Sequence, residues 1–252
     1  MTQQLADQVV LVTGAGRGIG AATARLLSTR GAAVGVLDID AGLAESTADD
    51  IVGSGGKALA LVADVAERAS LFAATAKLKA KFGAPTAVVN DAIWIRYGPF
   101  VEVTDDVLDR MLAVGIKGPF WGGQALLAHR DAGEPASIVN IASPVADLGT
   151  SNTSSYTAVK GAIAALTRQQ AVELGSQGVR VNAVTPGAVP TPGARSIVDE
   201  AGYAKRRAET PLGRLGAEDE IAAAIAFLIG PDASFISGEI LHVDGGISIK
   251  SM

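Results

Sequence analysis

Val9-Val10-Leu11-Val12-Thr13-Gly14-Ala15-Gly16-Arg17-Gly18-Ile19-Gly20 is the stretch on which the rest of the chain turns. Five residues rich in β-branched side chains read as a strand, and a helical pattern follows from Ile19 to Arg30. Glycines between a first strand and a first helix permit a tight turn and let phosphate oxygens approach the backbone. The helix N-terminus adds free N–H groups and a partial positive charge. This is the pattern of a dinucleotide-binding turn; a glycine loop serving only helix–strand packing is the plainer alternative.

Outward from that turn the same rhythm repeats. Strand patterns fall at Ala33–Asp38, Ala58–Val62, Thr86–Asn90, Ser137–Ile141, Val179–Val184 and Ile240–Val243. Helical patterns lie between them at Ala41–Val52, Glu67–Phe82, Asp105–Ala128, Ser155–Leu174 and Glu218–Ile229. Most strand runs are continuously apolar, as strands covered on both faces require. Seven strands alternating with helices predict an α/β fold, a single Rossmann-type doubly wound domain over residues 1–252 with a seven-stranded parallel sheet and helices on both faces. The stretch Pro186–Gly216 breaks the rhythm with four prolines, and residues 188–216 are expected to form a substrate lid.

Composition narrows the function. A net charge of −5 argues against a nucleic-acid partner or an anionic membrane surface. The absence of cysteine removes thiol nucleophiles and thiolate metal sites, and two distant histidines, His129 and His242, make a metal centre improbable. No apolar run is long enough to span a membrane, and the first residues do not read as a signal peptide, so a cytoplasmic protein is expected. No G-x-S-x-G elbow is present for a hydrolase triad.

Two carboxylates follow the glycines at sheet positions suited to a nucleotide. Asp38 ends the second strand and can accept hydrogen bonds from adenosine ribose hydroxyls while repelling a 2′-phosphate, which favours NAD over NADP. Arg17 would offset part of that repulsion, and a helix-capping role for Asp38 is the alternative. Asp64 follows the third strand, where it can meet an adenine amino group or cap the next helix. The chemistry signal is Tyr156 and Lys160, four apart and so on one helical face. A nearby ammonium favours phenolate and lowers a phenol's pKa, so Tyr156 can exchange a proton with an alcohol or carbonyl oxygen. Ser143, just past the fifth strand, can hold the same oxygen.

Together these residues identify a resemblance to the classical short-chain dehydrogenase/reductase family, running from about Leu5 to Ile249. It is carried by Thr13-Gly14-x-x-x-Gly18-x-Gly20, Asp64-Val65, Ser143, Tyr156-x-x-x-Lys160, Pro186-Gly187 with Thr191, and the closing run from Ser237 to Gly246. The resemblance implies hydride transfer between nicotinamide and a secondary alcohol or its carbonyl. It implies Tyr156 as acid/base, Ser143 orienting the substrate oxygen, and Lys160 holding the nicotinamide ribose and depressing the tyrosine pKa. Cofactor contacts would come from Gly14, Arg17, Gly18, Ile19, Gly20, Asp38, Ile39, Asp64, Val65, Asn90 and Ala92 on one side. On the other they would come from Tyr156, Lys160, Pro186, Gly187, Val189 and Thr191. It also implies a homotetramer, or a homodimer, with the small residues Ala158, Gly161, Ala162 and Ala165 at a subunit contact or, alternatively, in core packing.

Two departures accompany the resemblance. Asn90-Asp91-Ala92-Ile93 stands where the family usually reads Asn-Asn-Ala-Gly, and Gly115 stands where it has a catalytic asparagine thought to anchor a relay water. A backbone carbonyl can hold that water too, so a slower or reshaped relay is expected. Trp94, Ile95 and Val145, with Ile93, Tyr97 and Pro144, would form an apolar wall suited to an alicyclic or aromatic substrate body; the alternative is that Ile93–Tyr97 packs under the lid or at a subunit contact. The reading is an NAD-dependent oxidoreductase with a small-molecule substrate. The alternatives are a non-redox elimination or isomerisation on the same fold, and a non-catalytic NAD-binding protein.

Overall fold

The computed structural model describes residues 4–250. The first strand, β1 (Val9–Thr13), is buried along its whole length, and the parity of its side chains explains the unbroken apolar run. Val10 and Val12 enter one core with Leu27, Ala48 and Ile225, whereas Val9 and Leu11 enter the other with Leu71, Leu78 and Leu126. Each fully buried Val or Leu contributes about 1.5–3 kcal/mol relative to exposure, so neither face tolerates a polar substitution.

The remaining strands are β2 (Ala33–Asp38), β3 (Lys57–Val62), β4 (Ala87–Asn90), β5 (Ala136–Ile141), β6 (Val179–Pro186) and β7 (Ile240–Val243). All seven pair in parallel in the order β3-β2-β1-β4-β5-β6-β7. Helices α1 (Gly18–Thr29), α2 (Ala41–Gly53) and α9 (Glu218–Ile229) cover one face. On the other lie α3 (Arg68–Phe82), α5 (Gly118–His129) and α6 (Ser154–Leu174). The chain reverses its winding between β1 and β4, and a doubly wound sheet binds ligands in the crevice at the carboxyl ends of such neighbours. The expected α/β doubly wound sheet is therefore present. No helix among the described residues is long and apolar enough to cross a membrane.

One expected helix is not continuous. The pattern Asp105–Ala128 is split into α4 (Asp105–Leu112), a π-helical turn at Ala113–Lys117, and α5. Pro119 brings no N–H to the carbonyl of Gly115 four residues back, and its ring crowds that carbonyl. Widening the preceding turn relieves both problems. The β6–β7 connection also carries more structure than one helical stretch, with α7 (Pro192–Arg195) and α8 (Glu200–Glu209).

Candidate active site

A cleft of about 740 Å³ opens at the carboxyl ends of β1, β2, β4, β5 and β6. Gly14, Arg17, Gly18 and Ile19 line its glycine-rich end, with Asp38, Ile39, Asp64 and Val65 beyond. Ala92, Trp94, Ile95 and Val145 form a wall. Ser143, Tyr156 and Lys160 stand at the centre, and Pro186, Gly187, Val189 and Thr191 complete the opposite side. Residues expected from seven separate stretches of sequence thus meet in one cavity.

Gly20 and Asn90 do not line it. Gly20 is needed for packing: a Cβ there would collide with the Gly14 carbonyl, and its amide donates to Asp91. The Asn90 side chain turns into the core, donating to Asn140 Oδ1 at 2.8 Å and abutting Gly122. Thr13 fixes the β4 end against the glycine loop, its hydroxyl accepting from the amides of Asp91 (3.1 Å) and Ala92 (3.2 Å).

The two nucleotide-side carboxylates have protein partners. Asp38 accepts from the amides of Gly16 at 3.0 Å and Asp40 at 3.1 Å, so it braces the glycine turn. The cap of α2 is Asp40, not Asp38. Asp64 accepts from the Ala66 amide at 2.9 Å and pairs with Arg110 at 3.0 Å, and Glu67 occupies the N-cap position of α3. Sequence reasoning offered capping for both residues; the structure gives them a brace and an ion pair instead. Arg110 was not anticipated, because nothing local links residues 46 apart.

Tyr156 and Lys160 share one face of α6, as their spacing requires. Lys160 is buried, and its ammonium donates to the Ile141 carbonyl at 2.6 Å, 5.7 Å from the centre of the Tyr156 ring. Ser143, in extended backbone after β5, places its hydroxyl within hydrogen-bonding range of the phenol. The expected depression of the tyrosine pKa is not what this arrangement produces. Burial pushes the Tyr156 phenol up, with Tyr97 and Asp91 adding to the rise, against the Ser143 hydrogen bond and the positive charge of Arg206. Lys160 is not among the groups that offset this rise, and its ammonium donates to the Ile141 carbonyl.

Asp91 and Lys160 both line the cleft and act on each other electrostatically. Burial raises the Asp91 carboxyl, opposed by the Lys160 ammonium and the Gly20 amide. Burial lowers the Lys160 ammonium, opposed by Asp91. An asparagine at position 91 would supply no such counter-charge.

The other departure is also resolved in space. Gly115 is buried in the π turn, and an added Cβ would overlap Val159 Cγ1 and stand 3.2 Å from Ile93 Cδ1. The volume that a side chain at 115 would need is occupied by Val159 and Ile93. Three further residues take part: Tyr97, expected only as part of the apolar wall, and Val159 and Arg206, to which the sequence assigned no role. Tyr97 packs edge-on against Tyr156 at 5.6 Å between ring centres. Val159 is fully buried, and Arg206 reaches the cleft from α8. Arg206 sits in the run Lys205-Arg206-Arg207, where sequence alone does not say which cation faces inward.

The cavity fits a nicotinamide dinucleotide. Gly18 has φ +62°, and a Cβ there would reach 3.4 Å from Thr191 Cβ, filling the cradle between loop and opposite wall. Helix α1 has no capping side chain, which leaves its first amides for a phosphate. Thr191 itself caps α7, accepting from the Ala194 amide at 3.1 Å.

Comparison with known proteins agrees with this geometry. A family model described as enoyl-(acyl carrier protein) reductase matches residues 14–248. The chain is 39% identical over 247 residues to cis-4-hydroxycyclohexanecarboxylate dehydrogenase of Sinomonas cyclohexanicum, covering 98% of each chain. It is 36% identical over 253 residues to 2-(S)-hydroxypropyl-CoM dehydrogenase 3 of Xanthobacter autotrophicus, covering 98% of this chain and 99% of that one. The solved gluconate 5-dehydrogenase of Burkholderia cenocepacia, in complex with NADP and tartrate, superposes with a TM-score of 0.92 at 32% identity. That match covers 99% of this chain and 98% of the other.

Proposed function

The chain belongs to the short-chain dehydrogenase/reductase family, and on that premise we propose that it is an NAD-dependent oxidoreductase of secondary alcohols and their ketones. The substrate body is apolar, alicyclic or aromatic. The observation that carries this reading is the convergence of Ser143, Tyr156 and Lys160 in the same cleft as the glycine-rich turn. The dinucleotide, when bound, accepts or supplies the hydride.

The protein's own residues manage the oxygen and its proton. Ser143 holds the reacting oxygen beside the Tyr156 hydroxyl, which takes the proton of an alcohol or gives one to a ketone. Lys160 would hold the nicotinamide ribose, and the stretch from Pro186 to Thr191 would meet the carboxamide. Gly115 offers a backbone carbonyl, without an N–H from Pro119, to a relay water. Trp94, Ile95 and Val145 exclude solvent and contact the substrate body. Asp38 stands where a 2′-phosphate would meet a carboxylate, which supports NAD over NADP.

Residues 188–216 act as the lid over this site. Ala158 and Ala165 are exposed on α6, which supports their use at a subunit contact of a homotetramer or homodimer. Light scattering of the purified protein reads that assembly.

Nicotinamide absorbance with a panel of alicyclic and aryl secondary alcohols tests the activity. Tyr156→Phe is expected to lower turnover by about 10²–10⁴-fold. Undiminished turnover in that variant would remove the acid/base assignment.

A further inference from the structure

Helix α8 presents three consecutive cations, and only one turns inward. Lys205 and Arg207 are exposed, whereas Arg206 is half-buried and lines the cleft. Its charge is felt by both Tyr97 and Tyr156, so it lies on the substrate side of the site. Among the described residues its guanidinium has no carboxylate partner and donates no hydrogen bond to another side chain or to backbone. The acid nearest along the helix on the cleft side, Glu209, is paired with Lys205 at 3.8 Å.

A half-buried planar cation with five donors and no protein acceptor is free to pair with an anion that enters the cleft. A second orphan stands one turn earlier on α8. Tyr203 is buried, its hydroxyl has no partner, and Arg206 packs 5.9 Å from its ring centre. Tyr203 also adds to the raised pKa of Tyr97, which places the two phenols close together near the cleft.

We propose that Arg206 is an anion-binding residue of the substrate site, and that the substrate carries a carboxylate on the far side of its apolar body from the reacting carbon. Arg206 pairs with the carboxylate from its place on α8. The inference deepens the oxidoreductase reading, since it names the substrate class of the same cleft.

Binding tests it independently of turnover. Calorimetry with 4-oxocyclohexanecarboxylate and its methyl ester, in excess NAD, gives a ratio of affinities that no redox step disturbs. The carboxylate is expected to bind the wild-type protein about 10- to 100-fold more tightly than the ester, the range of a charge-assisted pair. Arg206→Gln is expected to collapse that ratio toward one, and Arg206→Lys to restore part of it. Equal binding of the two ligands by the wild type overturns the inference, as does a ratio that survives in Arg206→Gln. A tenfold loss of NAD affinity in Arg206→Gln, with the ratio retained, makes Arg206 a cofactor ligand and overturns it as well. If the carboxylate binds through Arg206 but neither the acid nor cyclohexanol is ever turned over, the oxidoreductase reading fails and this one stands.

Discussion

Asparagine introduced at position 115 is expected to destabilise the protein, although it restores the family's usual residue. The new Cβ would overlap Val159 Cγ1 and stand 3.2 Å from Ile93 Cδ1, inside the ~3.5–4.0 Å of an ordinary carbon contact. Val159 is fully buried on α6 and has nowhere to retreat. Overpacking of this kind costs about 1–3 kcal/mol, and the gain from removing a helical glycine offsets only a few tenths. For a chain of this size that is a fall of about 3–10 °C in the unfolding midpoint. Val159→Ala alone loses two buried methyls and leaves a cavity, again about 1–3 kcal/mol. In the double variant each change fills or vacates the other's space, so its stability is expected to exceed the sum of the singles by at least about 1 kcal/mol. Scanning calorimetry on the four proteins reads the cycle. A harmless Gly115→Asn, or singles that add within about 0.5 kcal/mol, would show that Val159 does not occupy the asparagine's volume. Turnover of the double variant is then the fair test of the relay, since the single one confounds chemistry with strain.

Asp38→Ser is expected to narrow the ratio of kcat/KM with NAD to that with NADP, and also to raise KM for both, because it releases the amides of Gly16 and Asp40; an unchanged ratio removes Asp38 as the selector. Asp91→Asn removes a negative charge that holds the Tyr156 proton on. Alcohol oxidation needs the phenolate, so the acid limb of its pH–rate profile is expected to move to lower pH, and a move upward would contradict the electrostatics. If a substrate carboxylate neutralises Arg206, the acid limb for 4-hydroxycyclohexanecarboxylate is expected at higher pH than that for its methyl ester, as read from paired pH profiles.

The sheet was legible because each strand is covered on both faces and says so in unbroken runs such as Val9–Thr13, and the glycine turn fixed where the first helix starts. The triad was legible because its spacing is local to one helix and one strand end. What escaped depends on contacts between distant segments. A helical period continues on both sides of Pro119, so the π turn shows only once the carbonyl of Gly115 has to be accommodated. Asp38 and Asp64 read as caps because both precede helices, yet their partners are set by the loop fold and by Arg110. The direction of the Tyr156 shift turned on burial, with Tyr97 and Asp91 adding to it. That balance is tertiary and has no signature in a Tyr-x-x-x-Lys spacing.

The charges of the site now form one system. Asp91 keeps Lys160 protonated against its own burial, but the same carboxylate, with burial and Tyr97, works against a phenolate at Tyr156. Ser143 and Arg206 are the two influences on the other side. A carboxylate bound at Arg206 cancels one of them and leaves Ser143 alone to favour the phenolate. Tyr156 then holds its proton more firmly still, in the form that can give a proton to a ketone oxygen. A neutral substrate leaves Arg206 free and the phenolate easier to reach. On this account the substrate's own charge sets how firmly Tyr156 holds its proton, more firmly for an anionic ketone than for a neutral one. The difference needs no movement of Tyr156, only the pairing of one guanidinium on α8.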